Sequence, residues 1–401
     1  MILSIVFGTL TGLSLALLLW QWFAARRFPL HRRVVDTSFA PAVTLLKPLK
    51  GCDTETAACL RSWLAQDYRG AIQVLFGVAS PDDPVCEVVR KLLQEFPTAD
   101  AQLVIGSSEI GANAKVSTLA ALEKLAKHDV LVISDADVRV PPDLLANAVA
   151  PLRAPEVDLV NCFYRLTNPT TLAMQWEAIA INADFWSQVL QSQTLKPLDF
   201  ALGAVMLVPR KQLEEIGGFK TLADCLADDY QLGNRIARRG NRIALCPVVV
   251  ECWDPPMTWG AAWRHQLRWA RTIRVCQPIP YFFSILSNAG LWALLWLAVE
   301  CIAAARRVQF DSINNGIAMK VALPTGLFAA LGCILLRIFV AYDLQRRLTR
   351  SSSHAAYFWL APIKDLLQTA IWFCAFIGNR VEWRGKLLRL RKDGTLERED
   401  K

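Results

Sequence analysis

Eleven cysteines occur in this 401-residue chain without a single CxxC pair, so neither zinc-ligand spacing nor a disulfide framework is offered. Cys301, Cys333 and Cys374 lie inside apolar stretches and read as reduced, buried small hydrophobes. No internal repeat and no low-complexity tract is visible, which leaves no basis for a repeat architecture. Charge is missing altogether from residues 2–24, and this run also lacks the basic n-region, short core and small-residue cleavage site of a secretory signal. It therefore reads as a retained anchor.

What is present points to two environments in one chain. Hydrophobic residues make up 53%, with 14 Trp, yet 20% of the chain is charged, so a water-soluble domain and membrane segments must coexist. The net charge of +8 comes partly from arginines beside the apolar runs. That placement suits anionic lipid headgroups and argues against nucleic acid as a partner.

The first apolar run is long enough to cross a bilayer at about 1.5 Å per helical residue. Arg26, Arg27, Arg32 and Arg33 follow at once, so the positive-inside rule predicts an outside N-terminus and a cytosolic continuation. Two further runs, 281–304 and 321–341, are also long enough to span. A third, 355–377, is interrupted by Pro362, Lys364 and Asp365, and its unbroken half of about a dozen residues suits an interfacial or re-entrant segment. Three crossings then leave Arg346, Arg347, Arg350 and the basic tail (Arg384, Lys386, Arg389, Arg391, Lys392) in the cytosol. The expected organisation is an anchor at 1–25, a cytosolic domain at 40–275, a membrane region at 281–380 and a basic tail at 381–401, a topology that fits a bacterial inner membrane.

Between about 43 and 250 the pattern changes to short apolar strands alternating with amphipathic helices. Strands are expected at 43–46, 72–78, 102–105 and 130–134, and helices at 84–95 and 115–127. This is the pattern of an α/β domain with a mostly parallel sheet, which binds ligands at the carboxyl ends of its strands.

Five acidic or basic motifs are candidates for chemistry. Asp135-Ala136-Asp137 directly follows the strand at 130–134, and carboxylates two apart share one side of an extended chain. Asp135 and Asp137 suit a hard divalent cation, Mg²⁺ or Mn²⁺, whose coordination is completed by diphosphate oxygens; a solvated turn is the alternative. Asp82-Asp83 lies in the Pro-bracketed turn SPDDP, where Asp83 either shapes the turn or accepts from a ribose hydroxyl or nucleobase amide. Lys115 opens the next helix, a favourable place for phosphate, or is a surface lysine. Asp228-Asp229 opens another helical stretch, as cap and dipole partners or with Asp229 as a general base. Finally, His265-Gln266-Leu267-Arg268-Trp269 lies on an amphipathic stretch rich in Trp and Arg, which reads as a membrane-interface belt. Arg268 also suits bidentate pairing with a diphosphate, and Trp269 suits the wall of an acceptor pocket.

The order Asp83, Asp135 in DxD, Asp229, then Arg268-Trp269 resembles the D, D, D, (Q/R)xxRW series of inverting family-2-like glycosyltransferases with a GT-A fold. More narrowly, LLKPLKG at 45–51, DDP at 82–84, KLLQEFPTADAQLVIG at 91–106 and the DGT-containing tail are similar to the ceramide glucosyltransferase family. The resemblance implies a GT-A nucleotide-sugar-binding domain with membrane helices at both ends, a UDP-sugar donor, a divalent metal, a membrane lipid alcohol as acceptor and inversion by direct displacement. It also implies nucleotide contact at Asp83, metal and diphosphate support at Asp135, the base at Asp229, and Arg268 and Trp269 lining the active site. Two departures stand out: His265 occupies the first position of (Q/R)xxRW, and segment 181–200 differs from the animal enzymes. Bacterial relatives associated with hopanoid lipids share the HQLRWARTIR style. Glucose and N-acetylglucosamine both fit as the donor sugar.

Two rivals remain at this stage. Processive polysaccharide synthases share the motif series but carry more C-terminal crossings to thread a polymer. A membrane-anchored binding or scaffold protein would use the acidic pairs only as caps and turns.

Overall fold

The computed structural model describes residues 2–315, 325–383 and 386–398. The first residues of the expected run at 321–341, and Arg384 of the expected tail, lie outside them. In chain order the elements are α1 (Ile2–Arg27), β1 (Val43–Leu49), α2 (Thr56–Leu64), β2 (Ile72–Val78), α3 (Val85–Glu95), β3 (Asp100–Ile105), α4 (Ala114–Glu123) and β4 (Val130–Ser134). There follow β5 (Val138–Arg139), α5 (Leu144–Val149), β6 (Val157–Leu166), α6 (Leu172–Ile179), α7 (Trp186–Gln193), β7 (Val205–Pro209), α8 (Arg210–Glu215), α9 (Asp228–Arg238) and β8 (Arg242–Cys252). The chain continues through α10 (Trp259–Cys276), α11 (Pro278–Phe283), α12 (Ala289–Asn315), α13 (Thr325–Thr349), α14 (Leu360–Phe376) and three short strands, β9 (Arg380–Trp383), β10 (Lys386–Leu390) and β11 (Leu396–Arg398).

These elements form two compact units. One comprises Phe28–Thr171, Ser192–Thr258 and Asn379–Lys401; the other comprises Met1–Arg27, Leu172–Gln191 and Trp259–Gly378. The borders differ from those drawn on hydropathy: 172–191 and α10 group with the membrane helices, and the tail groups with the sheet.

The sheet unit carries eight strands in the order β3-β2-β1-β4-β7-β6-β8-β5. Strands β1 to β4 pair in parallel, as the strand-helix alternation predicts. Beyond them β7 runs antiparallel between β4 and β6, so the sheet is mixed. Val43, Leu45, Val74, Phe76 and Val132 place one sheet face against Leu60 and Trp63 of α2 and Val85, Val89 and Leu92 of α3 in a continuous core. Such burial contributes about 25 cal/mol per Å² of apolar surface and fixes which strand ends point outward. The carboxyl ends of β1, β2 and β4 thus open on one edge, where the DxD turn and Asp83 sit.

In the other unit, three helices among the described residues are long and apolar enough to cross a membrane: Ile2–Arg27, Ala289–Arg306 and Gly326–Thr349. The run expected at 281–304 is corrected here. Asn288 breaks it, accepting from Leu291 N at 2.9 Å and donating to the carbonyl of Asp365, so a new helix starts at Ala289. The run at 355–377 is likewise not interrupted by its polar residues. Pro362 falls in the first turn of α14, where a missing N–H costs nothing, and Lys364 and Asp365 are buried in ion pairs. Its 17 residues reach only about 25 Å at about 1.5 Å per residue.

Candidate functional site

A buried lysine organises the acidic edge of the sheet unit. Asn113 caps α4 by accepting from Val116 N, and its own Nδ2 donates to the carbonyl of Cys225, which ties the start of α4 to the loop before α9. Lys115, 7% exposed, thereby reaches Asp135 Oδ1 at 2.7 Å and Asp228 Oδ2 at 3.1 Å. Burial alone would lower its pKa, but Asp135, Asp228 and Asp229 outweigh it and hold the ammonium well above its usual range. One cation therefore bridges the DxD turn and the second acidic pair. This lysine is not on the surface.

Asp228 and Asp229 occupy the first turn of α9, whose N-cap is Ala227, so neither acid is the cap. Asp229 Oδ1 accepts from Tyr230 N at 2.7 Å. Burial, then repulsion from Asp228, pushes its pKa up to about 6 despite the opposing pull of Lys115. A carboxyl poised there is suited to take a proton near neutral pH.

The DxD turn has a support that the sequence reading missed. Lys47, fully buried near the end of β1, donates to Ser134 Oγ at 3.1 Å and to the carbonyl of Asp135, and its ammonium lies 5.1 Å from the Trp63 ring centroid. Burial lowers its pKa to about 8, while burial and the nearby Asp135 and Asp254 raise that of Asp137 to about 7. The available signal was a lysine inside the otherwise apolar strand VTLLKPL. No group of three or more His, Cys, Asp or Glu able to hold a metal occurs among the described residues. Asp135 and Asp137 supply two carboxylates, which is the number a Mg²⁺-like ion takes when substrate phosphates complete its shell.

Asp83 closes the end of β2. Both its oxygens accept from Gly51 N at 3.0 Å, and Oδ1 also accepts from Val85 N, so its carboxylate shapes the β1–α2 loop and starts α3. It belongs to the same sheet edge as the Lys115 cluster. Arg268 and Trp269 lie in the other unit, on α10, which buries Ala262, Gln266 and Ala270 and exposes Trp259 and Ile273. There Trp269 sits 5.0 Å from the His265 ring and 5.9 Å from Phe185, centroid to centroid.

A ceramide glucosyltransferase of Candida albicans is 35% identical over 128 residues, covering 29% of this chain and 24% of that protein. Ceramide glucosyltransferase 3 of Caenorhabditis elegans is 25% identical over 222 residues, covering 55% and 48%. The chain thus matches about half or less of these relatives' lengths. A mannosyltransferase of Pyrobaculum calidifontis, solved with GDP-Man and Mn²⁺, is similar in fold, with a TM-score of 0.52, 23% identity and coverage of 91% of this chain and 99% of that one. Glycosyl transferase family 21 matches residues 6–396, and the chain, with its GT-A-like mixed sheet and membrane helices, belongs to that family.

Proposed function

We propose that this protein is an integral membrane glycosyltransferase that transfers one glucose or N-acetylglucosamine from a UDP-sugar to a lipid alcohol, ceramide first, with inversion. The observation that carries the reading is the Lys115 ammonium bonded to both Asp135 and Asp228, which gathers the DxD turn and the acidic pair that contains the candidate base around one buried cation. Asp229 takes the proton of the acceptor hydroxyl, its carboxyl poised near neutrality by burial and Asp228. Asp135 and Asp137 would hold Mg²⁺ or Mn²⁺ together with the donor diphosphate, and the cation supplies charge neutralisation at the leaving group. Asp83 contacts the nucleotide, and Arg268 and Trp269 are the motif's contacts for diphosphate and acceptor. Family membership and the ceramide glucosyltransferase relatives support the lipid acceptor. Three membrane-length helices support single transfer over threading of a polymer. A cytosolic sheet unit in a bacterial inner membrane accords with Arg26 and Arg27 at the end of α1 and Arg346 and Arg347 at the end of α13.

The test is to incubate the purified protein in lipid nanodiscs with labelled UDP-glucose or UDP-N-acetylglucosamine, offering ceramide and a hopanoid alcohol side by side, with Mn²⁺ titrated. Labelled ceramide that disappears in Asp229→Asn supports the reading. Labelling of the hopanoid alone redirects the acceptor, and transfer unchanged in Asp229→Asn removes the base.

A further inference from the structure

We propose that Glu177 and His265 form a hydroxyl-recognition subsite for an alcohol-bearing lipid within the membrane unit. The inference rests on the lipid-acceptor reading above and adds where the lipid's hydroxyl is held. Glu177 is fully buried on α6, and its Oε1 receives His265 Nδ1 at 2.5 Å and Gln266 Nε2 at 2.8 Å, both from α10. A carboxylate only accepts, so the Nδ1 of the imidazole carries the proton of this contact and Nε2 is the ring nitrogen left for a further partner. The second carboxylate oxygen, Oε2, is buried with no hydrogen-bond partner among the described residues. The pair therefore holds spare accepting capacity, which an O–H group satisfies.

The surroundings favour an amphipathic alcohol. His265 keeps about a quarter of its side chain exposed, and its ring lies beside Trp269, itself beside Phe185. Phe185 ends a wide π-helical turn, Ala180–Phe185, a distortion that places side chains off the regular helical track and recurs at functional sites. α10 exposes Trp259 and Ile273, and the following α11 exposes Ile279, Phe282 and Phe283. Such a surface suits the depth at which lipid headgroups meet acyl chains. A staple joining α6 to α10 needs only Nδ1; a partly exposed imidazole beside Trp269 is what recognition adds.

The test uses diethyl pyrocarbonate, which carbethoxylates imidazole nitrogen, on the intact protein in nanodiscs without any sugar donor. Modification of His265 is followed by peptide mass spectrometry, with His31 and His128 as internal references. 1-Dodecanol is expected to protect His265 at about tenfold lower concentration than dodecyl methyl ether, a factor of the size one hydrogen bond supplies. Equal protection by alcohol and ether, or none, overturns the proposal. Because no sugar is transferred, this result stands apart from whether ceramide is glycosylated. His265→Asn keeps an N–H for Glu177 but loses Nε2; it is expected to lose the preference for the alcohol in dodecanol binding while keeping the wild-type unfolding temperature. An unaltered preference in this variant also overturns the proposal.

Discussion

Gly203 faces Asp229 so closely that a Cβ on residue 203 would stand 2.7 Å from Asp229 Oδ2. The missing side chain is thus a condition for where the candidate base sits.

Gly203→Ala therefore displaces a carboxylate and not a backbone, and the fold absorbs the change. Sugar transfer is expected to fall roughly 10- to 100-fold, the scale of a misplaced catalytic group. The unfolding midpoint and UDP-sugar affinity should stay close to wild type. Calorimetry alongside turnover checks this, and a matching loss of donor binding would argue that the glycine serves the nucleotide instead.

The pH profile follows from the same carboxyl. Asp229, with a pKa of about 6 in the field of Asp228, Lys115 and Asp135, acts as a base only when ionised. The rate should rise with pH to about 6 and level above it, because protonation below that value removes the acceptor of the proton. Lys115→Met takes away the cation that lowers this pKa, so the limb should move to higher pH. A profile whose acidic limb is unmoved in that variant would disconnect Lys115 from the base.

The membrane unit contains a buried quartet of charges. Arg337 of α13 donates from Nε and Nη2 to both oxygens of Asp365 at 2.8 Å and from Nη2 to Asp184 at 2.9 Å, and Lys364 also pairs with Asp184. Removing one member leaves an uncompensated charge in an apolar interior, at a cost of about 3–5 kcal/mol. Arg337→Met should accordingly lower the unfolding temperature in detergent. Adding Asp365→Leu should restore part of the loss, since Asp184 and Lys364 then remain as a neutral pair.

The tail braces the loop that leads into α9. Leu396 N donates to the carbonyl of Asp224 at 2.6 Å, and Leu226 N approaches that of Gly394 at 3.4 Å, with Cys225 bridged to Thr395. Deleting residues 391–401 should raise hydrogen exchange at 224–230 and slow transfer severalfold. Exchange unchanged in that loop would show that the contacts from Ala112 and Asn113 hold it without the tail.

Some of this architecture was open to reading along the chain. Strands β1 to β4 and helices α3 and α4 are local apolar periodicities bounded by turn residues, so their positions followed from pattern alone, whereas α2 was not read from it. The antiparallel insertion of β7 was not legible, because strand order depends on which edge a segment reaches after its connection. Likewise the breaks in the apolar runs were misplaced: hydropathy registers Lys364 and Asp365 as interruptions, whereas Arg337, nearly 30 residues away, neutralises one of them.

For the site, DxD, Asp83, Lys115 and the Asp228-Asp229 pair could be named from residue type and local position. Their assembly could not. That Lys115 spans Asp135 and Asp228 depends on α4 and α9 meeting at one sheet edge, and Lys47 becomes a support only once β1 lies beside β4. The chain by itself determined the inventory: membrane-length apolar runs, an α/β segment, acids at strand ends. Tertiary structure decided which charges share a low-dielectric interior, and electrostatic energy there is set by distances between residues far apart in sequence.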